Sequence, residues 1–169
     1  MIEIVQAPSE TVSKGIKLFI AGGIRNCPQW QNLLIEKLQN EEEIKEEIGD
    51  SDIKIIIFNP RCNDIPEEEA QVKWEYDKLK QSDIISFWFS EGSVNPITLF
   101  EYGCHLYSEI IVGCHNAYER KSNVIIQTGL VRPDLKVNEN FEDFYKEIVE
   151  TLIDKITNYR VRNFNKKIK

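Results

Sequence analysis

The chain has 169 residues, enough to bury a full core, and its 41% hydrophobic and 29% charged positions are those of an ordinary soluble protein. A net charge of −7 and a pI near 5.0 argue against general affinity for nucleic acid polymers or an anionic membrane. No stretch reaches the roughly 18 consecutive apolar residues of a membrane span.

"MIEIVQAPSETVSKG" at the N-terminus lacks the basic, apolar and small-residue order of a secretion signal. The first predicted strand is "IKLFIA" at 16–21, followed by the loop "AGGIRNCPQW". Gly22 and Gly23 there serve either the geometry of a β-α turn or the close approach of a ligand to the backbone. The loop has no Gly-Lys-Ser/Thr, no hydroxyl-rich phosphate loop and no acidic pair, which removes three common uses of such a turn. A helix is predicted over 28–47, with Trp30, Leu33, Leu34 and Leu38 at helical spacing.

The second strand is "IKIIIF" at 53–58, and its loop "NPRCNDIPEEE" carries Asn59, Arg61 and Asp64. Turn chemistry accounts for the Asn and Asp and a surface ion pair for the Arg, unless they line a pocket. Along the helix predicted over 67–81, Val72, Tyr76 and Leu79 share one face, and Gln71, Trp74, Glu75 and Lys78 share another. Glu75 reads as a solvated helix glutamate or as an acid at a site. The third strand, "IISFWF" at 84–89, leads through "SEGSVNPIT" into a helix over 96–109, with Asn95 as N-cap and Pro96 in the first turn. Glu101 lies in its second turn among Ile97, Leu99, Phe100 and Tyr102. An ionised carboxylate there either reaches water past its neighbours or is buried and needs a partner. Phe19, Trp74 and Trp88 read as core or as a wall for stacking a base.

"IIVG" at 110–113 and "NVIIQ" at 123–127 complete five predicted strands, and a strongly amphipathic helix covers 141–159. The strand runs are largely continuous in apolar residues rather than alternating, as expected when both sheet faces are covered. Alternation of strands and helices predicts an α/β fold: a flavodoxin-like, doubly wound five-stranded parallel sheet of order 2-1-3-4-5, with helices on both faces. One domain over 1–169 is expected, with a core at 16–159 and a basic tail at 160–169. Ligands in such a fold bind beyond the carboxyl ends of the strands, where the three polar loops converge.

Four scattered cysteines without a C-x-x-C pair suit free thiols in a cytoplasm. Cys104–His105 and Cys114–His115 match no common zinc spacing, so no metal site is expected. Two acidic residues at one pocket edge suit cleavage of an N-glycosidic bond: one carboxylate meets the sugar carbon and the other assists departure of the base.

"LFIAGGI", "FNPRCND", "WEYDKLKQSDIISFWF" and "PITLFEYG" together resemble the nucleoside 2-deoxyribosyltransferase-like family, in a phage and bacterial branch, over roughly 17–130. Its recurring marks stand here as Ala21–Gly22–Gly23, Asp83 and Glu101–Tyr102–Gly103. The resemblance implies an enzyme that passes a deoxyribosyl group between nucleobases, with Glu101 as nucleophile and Glu75 protonating the departing base. A cytoplasmic location and no cofactor are expected. Glu75 and Asn95 stand where relatives carry Asp, and Asn95 cannot act as an acid. Phe19, Ala21, Gly22, Gly23, Arg61, Asp64, Trp74 and Trp88 are the expected substrate contacts. The substrates implied are a nucleoside or its monophosphate and a free base. Assembly into a homo-oligomer is also expected.

Overall fold

A computed structural model describes residues 1–11, 13–49, 51–62 and 68–167, with side chains through residue 162. Six parallel strands form one sheet: β1 (Ile2–Gln6), β2 (Ile16–Gly22), β3 (Ile55–Asn59), β4 (Ile84–Phe89), β5 (Ile110–Cys114) and β6 (Val137–Asn138). Their order is β1-β3-β2-β4-β5-β6. The helices are α1 (Trp30–Asn40), α2 (Glu42–Ile48), α3 (Glu68–Gln81), α4 (Pro96–His105), α5 (Lys121–Val131) and α6 (Phe141–Lys167).

The order of the four central strands agrees with the sequence reading, but the expected five-stranded 2-1-3-4-5 sheet does not. β1 adds an edge beside β3, in register from Ile2 opposite Ile55 to Gln6 opposite Asn59. The predicted strand at 123–127 lies instead within α5, and β6 takes the far edge. A short apolar run cannot distinguish strand from helix by itself. Here Val124 and Thr128, four apart, turn inward, and Ile126 stays exposed, which is helical periodicity.

The segment 28–47 is two helices rather than one. Glu41 is extended (φ −67°, ψ 115°) and breaks the run, and its carboxylate accepts from the Glu43 amide at the start of α2. α6 continues past 159, so the expected border of the basic tail falls inside a helix. Arg160 donates to the Glu47 carboxylate at 2.9 Å and to the carbonyls of Glu47 and Ile48, a cation placed at the negative end of α2.

Helices α1, α2 and α6 cover one face of the sheet, with Leu34, Leu38, Ile44, Phe144 and Leu152 packed on Leu18, Ile20, Ile57 and Trp88. Helices α3, α4 and α5 cover the other, with Trp74, Leu79, Tyr102 and Val124 packed on Phe19, Phe58, Phe87 and Phe89. The chain leaves β2 for β3 on one side and returns past β2 to β4, so the strand order reverses between β2 and β4. In doubly wound folds ligands bind beside such a reversal, at the carboxyl ends of the strands.

Candidate active site

In α3, the inward face is the Gln71, Trp74, Glu75 and Lys78 face. Trp74 and Lys78 are buried, while Val72 and Tyr76 are exposed. Glu75 is thereby carried inward and half-buried. Gln71, one turn earlier, donates its amide to Glu75 Oε1 at 2.6 Å and to the Pro60 carbonyl at 2.9 Å. That links the helix acid to the loop after β3.

Thr98 and Tyr102 are the buried positions of α4, and Tyr102 shares a 2.6 Å hydrogen bond with Thr128 of α5. Glu101, next to this anchor, is half-buried. Burial pushes its carboxyl up to about 8, and the neighbouring charge of Glu75 adds to the rise. Glu75 is itself raised by burial, with the Gln71 hydrogen bond acting the other way. The two acids, 26 residues apart in sequence, thus lie on two helices of one layer, near enough for the charge of one to act on the other. Like charges so placed do not ionise together readily, and the pair retains a proton where isolated carboxylates would have none.

Asn95 stands at the N-cap position of α4, but not as the expected cap. Its backbone is left-handed (φ 53°, ψ 54°) and its side chain makes no capping hydrogen bond. Asn tolerates that conformation better than most residues. The side-chain oxygen lies 3.4 Å from Cys27 Sγ, and the buried Nδ2 has no partner. Ser90 Oγ, at the end of β4, is likewise buried and unpaired.

The two glycines after β2 have their space filled by the protein itself. A Cβ on Gly22 would stand 2.4 Å from the Trp30 ring and 2.5 Å from the Trp88 carbonyl oxygen; one on Gly23 would stand 2.0 Å from Asn95 Oδ1 and 2.4 Å from Cys27 Sγ. Three loops close on each other only because these side chains are missing. The Gly23 carbonyl accepts from Trp30 Nε1 at 3.1 Å and Gln31 Nε2 at 3.2 Å.

Arg61 is buried rather than on a surface ion pair. Its Nε donates to Gln31 Oε1 at 2.9 Å and its Nη2 to the Pro28 carbonyl at 3.0 Å. No carboxylate among the described residues pairs with it, and burial lowers its affinity for the proton, with Cys27 acting the other way. Asp64 lies outside the described residues.

Phe19 and Ala21 are buried on the α3–α4–α5 face, where Phe19 packs against Trp74 at 6.0 Å between ring centres. Trp88 lies on the opposite face, against Phe141 and Phe144. Trp74 and Trp88 therefore cannot form one stacking wall. The sheet separates them. Trp74 Nε1 also donates to the Ser9 carbonyl at 2.6 Å, so its polar atom is engaged.

The structure thus brings Glu75 and Glu101 together, and joins Gly23 and Asn95 in a second group with Arg61 close by. Gln71, Gln31, Cys27 and Ser90 stand beside these two groups and were not among the expected contacts. Only Gln71 carried a signal, lying four residues before Glu75 on one helix face. Asp83 is structural in its contacts: its carboxylate accepts from the Lys17 amide at 2.8 Å and its amide donates back to the Lys17 carbonyl at 2.9 Å, fixing β2 against the start of β4. Among the described residues, no group of three or more His, Cys, Asp or Glu is placed to hold a metal ion, and no helix is long and apolar enough to cross a membrane.

Residues 15–118, more than half the sequence, match the family described as nucleoside 2-deoxyribosyltransferase like. The chain belongs to that family. No curated protein matches it. Among solved structures, the crystal structure of a conserved protein from Enterococcus faecalis V583 aligns with 84% of this chain and 99% of its own, at 13% identity and a TM-score of 0.48. The family match spans the loops after β2, β3 and β4 and both acids, and ends at Tyr118 before α5.

Proposed function

We propose that the protein cleaves the N-glycosidic bond of a (deoxy)nucleoside or nucleoside monophosphate and transfers the sugar through a glycosyl ester on Glu101. The observation that carries this reading is the Glu75–Glu101 pair, two half-buried carboxyls both raised by burial, with the Glu75 charge adding to the rise at Glu101. In the first half-reaction a Glu101 oxygen forms a bond to the sugar C1′. The C1′–N bond breaks and its electron pair goes to the base, which takes the proton from Glu75. In the second, a new base attacks C1′, the ester bond breaks, and Glu101 regains its electron pair as Glu75 accepts the proton. This is the retaining-glycosidase division of labour. Because the Glu75 charge raises Glu101 in the free protein, the reactive form is the one in which the proton has passed to Glu75 and left Glu101 ionised. Water in place of the second base makes the same site a hydrolase.

A binding module without turnover is the second reading, favoured by Asn95, whose amide supplies neither a proton nor a charge. Assembly with further copies of the chain fits the outward side of α4 and α5, where Ile97, Phe100, Ile126 and Leu130 are all strongly exposed.

Product analysis tests these readings. The protein is incubated with deoxynucleosides and their 5′-monophosphates, with and without a second free base, beside Glu101→Gln. A new nucleoside that needs both the added base and Glu101 supports transfer, and a glycosyl adduct on the Glu101 peptide by mass spectrometry identifies the nucleophile. Free base and sugar without exchange supports the hydrolase. Raised melting temperatures without any turnover overturn the catalytic reading in favour of binding.

A further inference from the structure

Loop 23–29 and the start of α4 meet at a polar contact. Cys27 is a half-buried free thiol, and its Sγ lies 3.4 Å from Asn95 Oδ1. A thiol is a weak donor and a carboxamide oxygen a good acceptor, so the proton belongs to sulfur. Asn95 is only 5% exposed, its backbone is held in the left-handed region, and Gly23 leaves just enough room for both side chains. A carboxamide has two ends, and this contact uses one. The other, Nδ2, is buried with no partner. An unpaired buried donor is costly, of the order of 1–3 kcal/mol, and this one sits beyond the carboxyl ends of β2 and β4, where the strand order reverses.

We infer that Cys27 is a positioning residue: its thiol fixes the Asn95 carboxamide so that Nδ2 is the donor presented to the ligand, and the site selects a ligand with a lone pair at that point. The inference rests on the proposed function for the class of ligand, a nucleoside or nucleotide, and adds the polarity of one subsite. The ligand group there is an acceptor: a base carbonyl or ring nitrogen, a sugar oxygen or a phosphate oxygen. An Asp at the same place would require the reverse, a donor. Cys27 has no role in bond breaking. It acts through Asn95 alone, and the Arg61 guanidinium beside it adds a fixed positive charge to the same corner.

Two measurements on the full chain decide it. The first is the infrared S–H stretch, which moves to lower frequency when a thiol donates a hydrogen bond. The difference spectrum against Cys27→Ala isolates the Cys27 band from those of the other cysteines. A lowered band in the wild type that moves up in Asn95→Ala is expected. A band at the free-thiol position in both overturns the contact. The second is steady-state kinetics with whichever panel nucleoside or monophosphate turns over. Cys27→Ala is expected to raise KM about tenfold, the scale of one oriented hydrogen bond, with kcat within about twofold. Cys27→Ser, which keeps a donor, restores KM to within about threefold. Adding Asn95→Ala to Cys27→Ala changes little further, since the two act as a unit. An unchanged KM in Cys27→Ala overturns the specificity role. Should no member of the panel turn over, the catalytic reading fails separately, and the infrared band alone upholds or overturns the positioning of Asn95.

Discussion

The two helical layers of this molecule are built on opposite economies of charge. Between the sheet and α1, α2 and α6 lies an apolar layer, from Ile16 and Leu34 to Leu152 and Ile156, broken by the buried Gln31 and the Arg61 guanidinium it holds, and the carboxylates of those helices stay outside it. Beneath α3, α4 and α5 lie the half-buried Glu75 and Glu101 and the buried Lys78, whose partner Glu10 is 72% exposed. The same layer turns apolar residues outward: Ile97, Phe100, Ile126 and Leu130. Burying charge and exposing hydrocarbon both cost stability in an isolated domain. A layer that does both fits the proposed site, and its opposite number the need to stay folded.

Substitutions can break or sharpen this division. Glu101→Gln has the largest expected effect on function, a loss of turnover of about 10³-fold or more. It should also stabilise the fold at alkaline pH. Glu101 ionises near the usual carboxylate range when unfolded but only about 8 when folded, so between those limits the native state holds the extra proton. Wild-type stability therefore falls as pH rises through that window, and Glu101→Gln lacks the fall. Urea melts of both proteins at pH 5 and pH 9 show whether the gap opens.

Leu34→Ala, in the opposite layer, removes a fully buried side chain. Chemical denaturation should register a loss of about 2–5 kcal/mol, while the pH profile of the surviving activity stays in place. A shift in that profile would mean that the layers are not separate. Next comes Glu75→Gln, expected to lower kcat about 10²-fold. It removes the like charge beside Glu101, so the rise of kcat/KM with pH, which tracks ionisation of the nucleophile, should move to lower pH. An unmoved limb would uncouple the two acids. The smallest effect is that of Phe100→Ser. If copies of the chain associate through α4 and α5, it weakens the assembly about tenfold in sedimentation velocity and leaves the monomer's melting temperature nearly unchanged.

Where the sequence spoke clearly, each residue had one use. The runs 16–21, 53–58, 84–89 and 110–113 are apolar on both sides because both faces of the sheet are covered, and they could be little else. The apolar trio in "NVIIQ" misled because Val124 packs inward and Ile126 faces out, a difference that only the neighbouring elements decide. Ile2–Gln6 was passed over because an edge strand has weak patterning. Glu75 and Glu101 were legible as candidates, and their mutual effect was not, since it depends on α3 and α4 sharing a layer. Asn95 looked like a cap from its place before a proline. Its left-handed backbone and its contact with Cys27 come from a loop 68 residues earlier, and no local pattern carries that.

β1 has a consequence beyond adding a sixth strand. It occupies the whole free side of β3, with Ala7 adding a further bond to the Asn59 carbonyl. β3 is the run Ile55–Asn59, buried along its full length and without a charge. Stripped of its neighbour, such a strand offers a ladder of unmet amides and carbonyls with greasy side chains on both sides, a template on which other chains can stack. β1 is thus a bumper that stops the sheet from growing outward, with Glu3 as the charge on its edge. Removal of the first seven residues would bare that edge and take Val5 and Ala7 out of the core beneath α3 and α4.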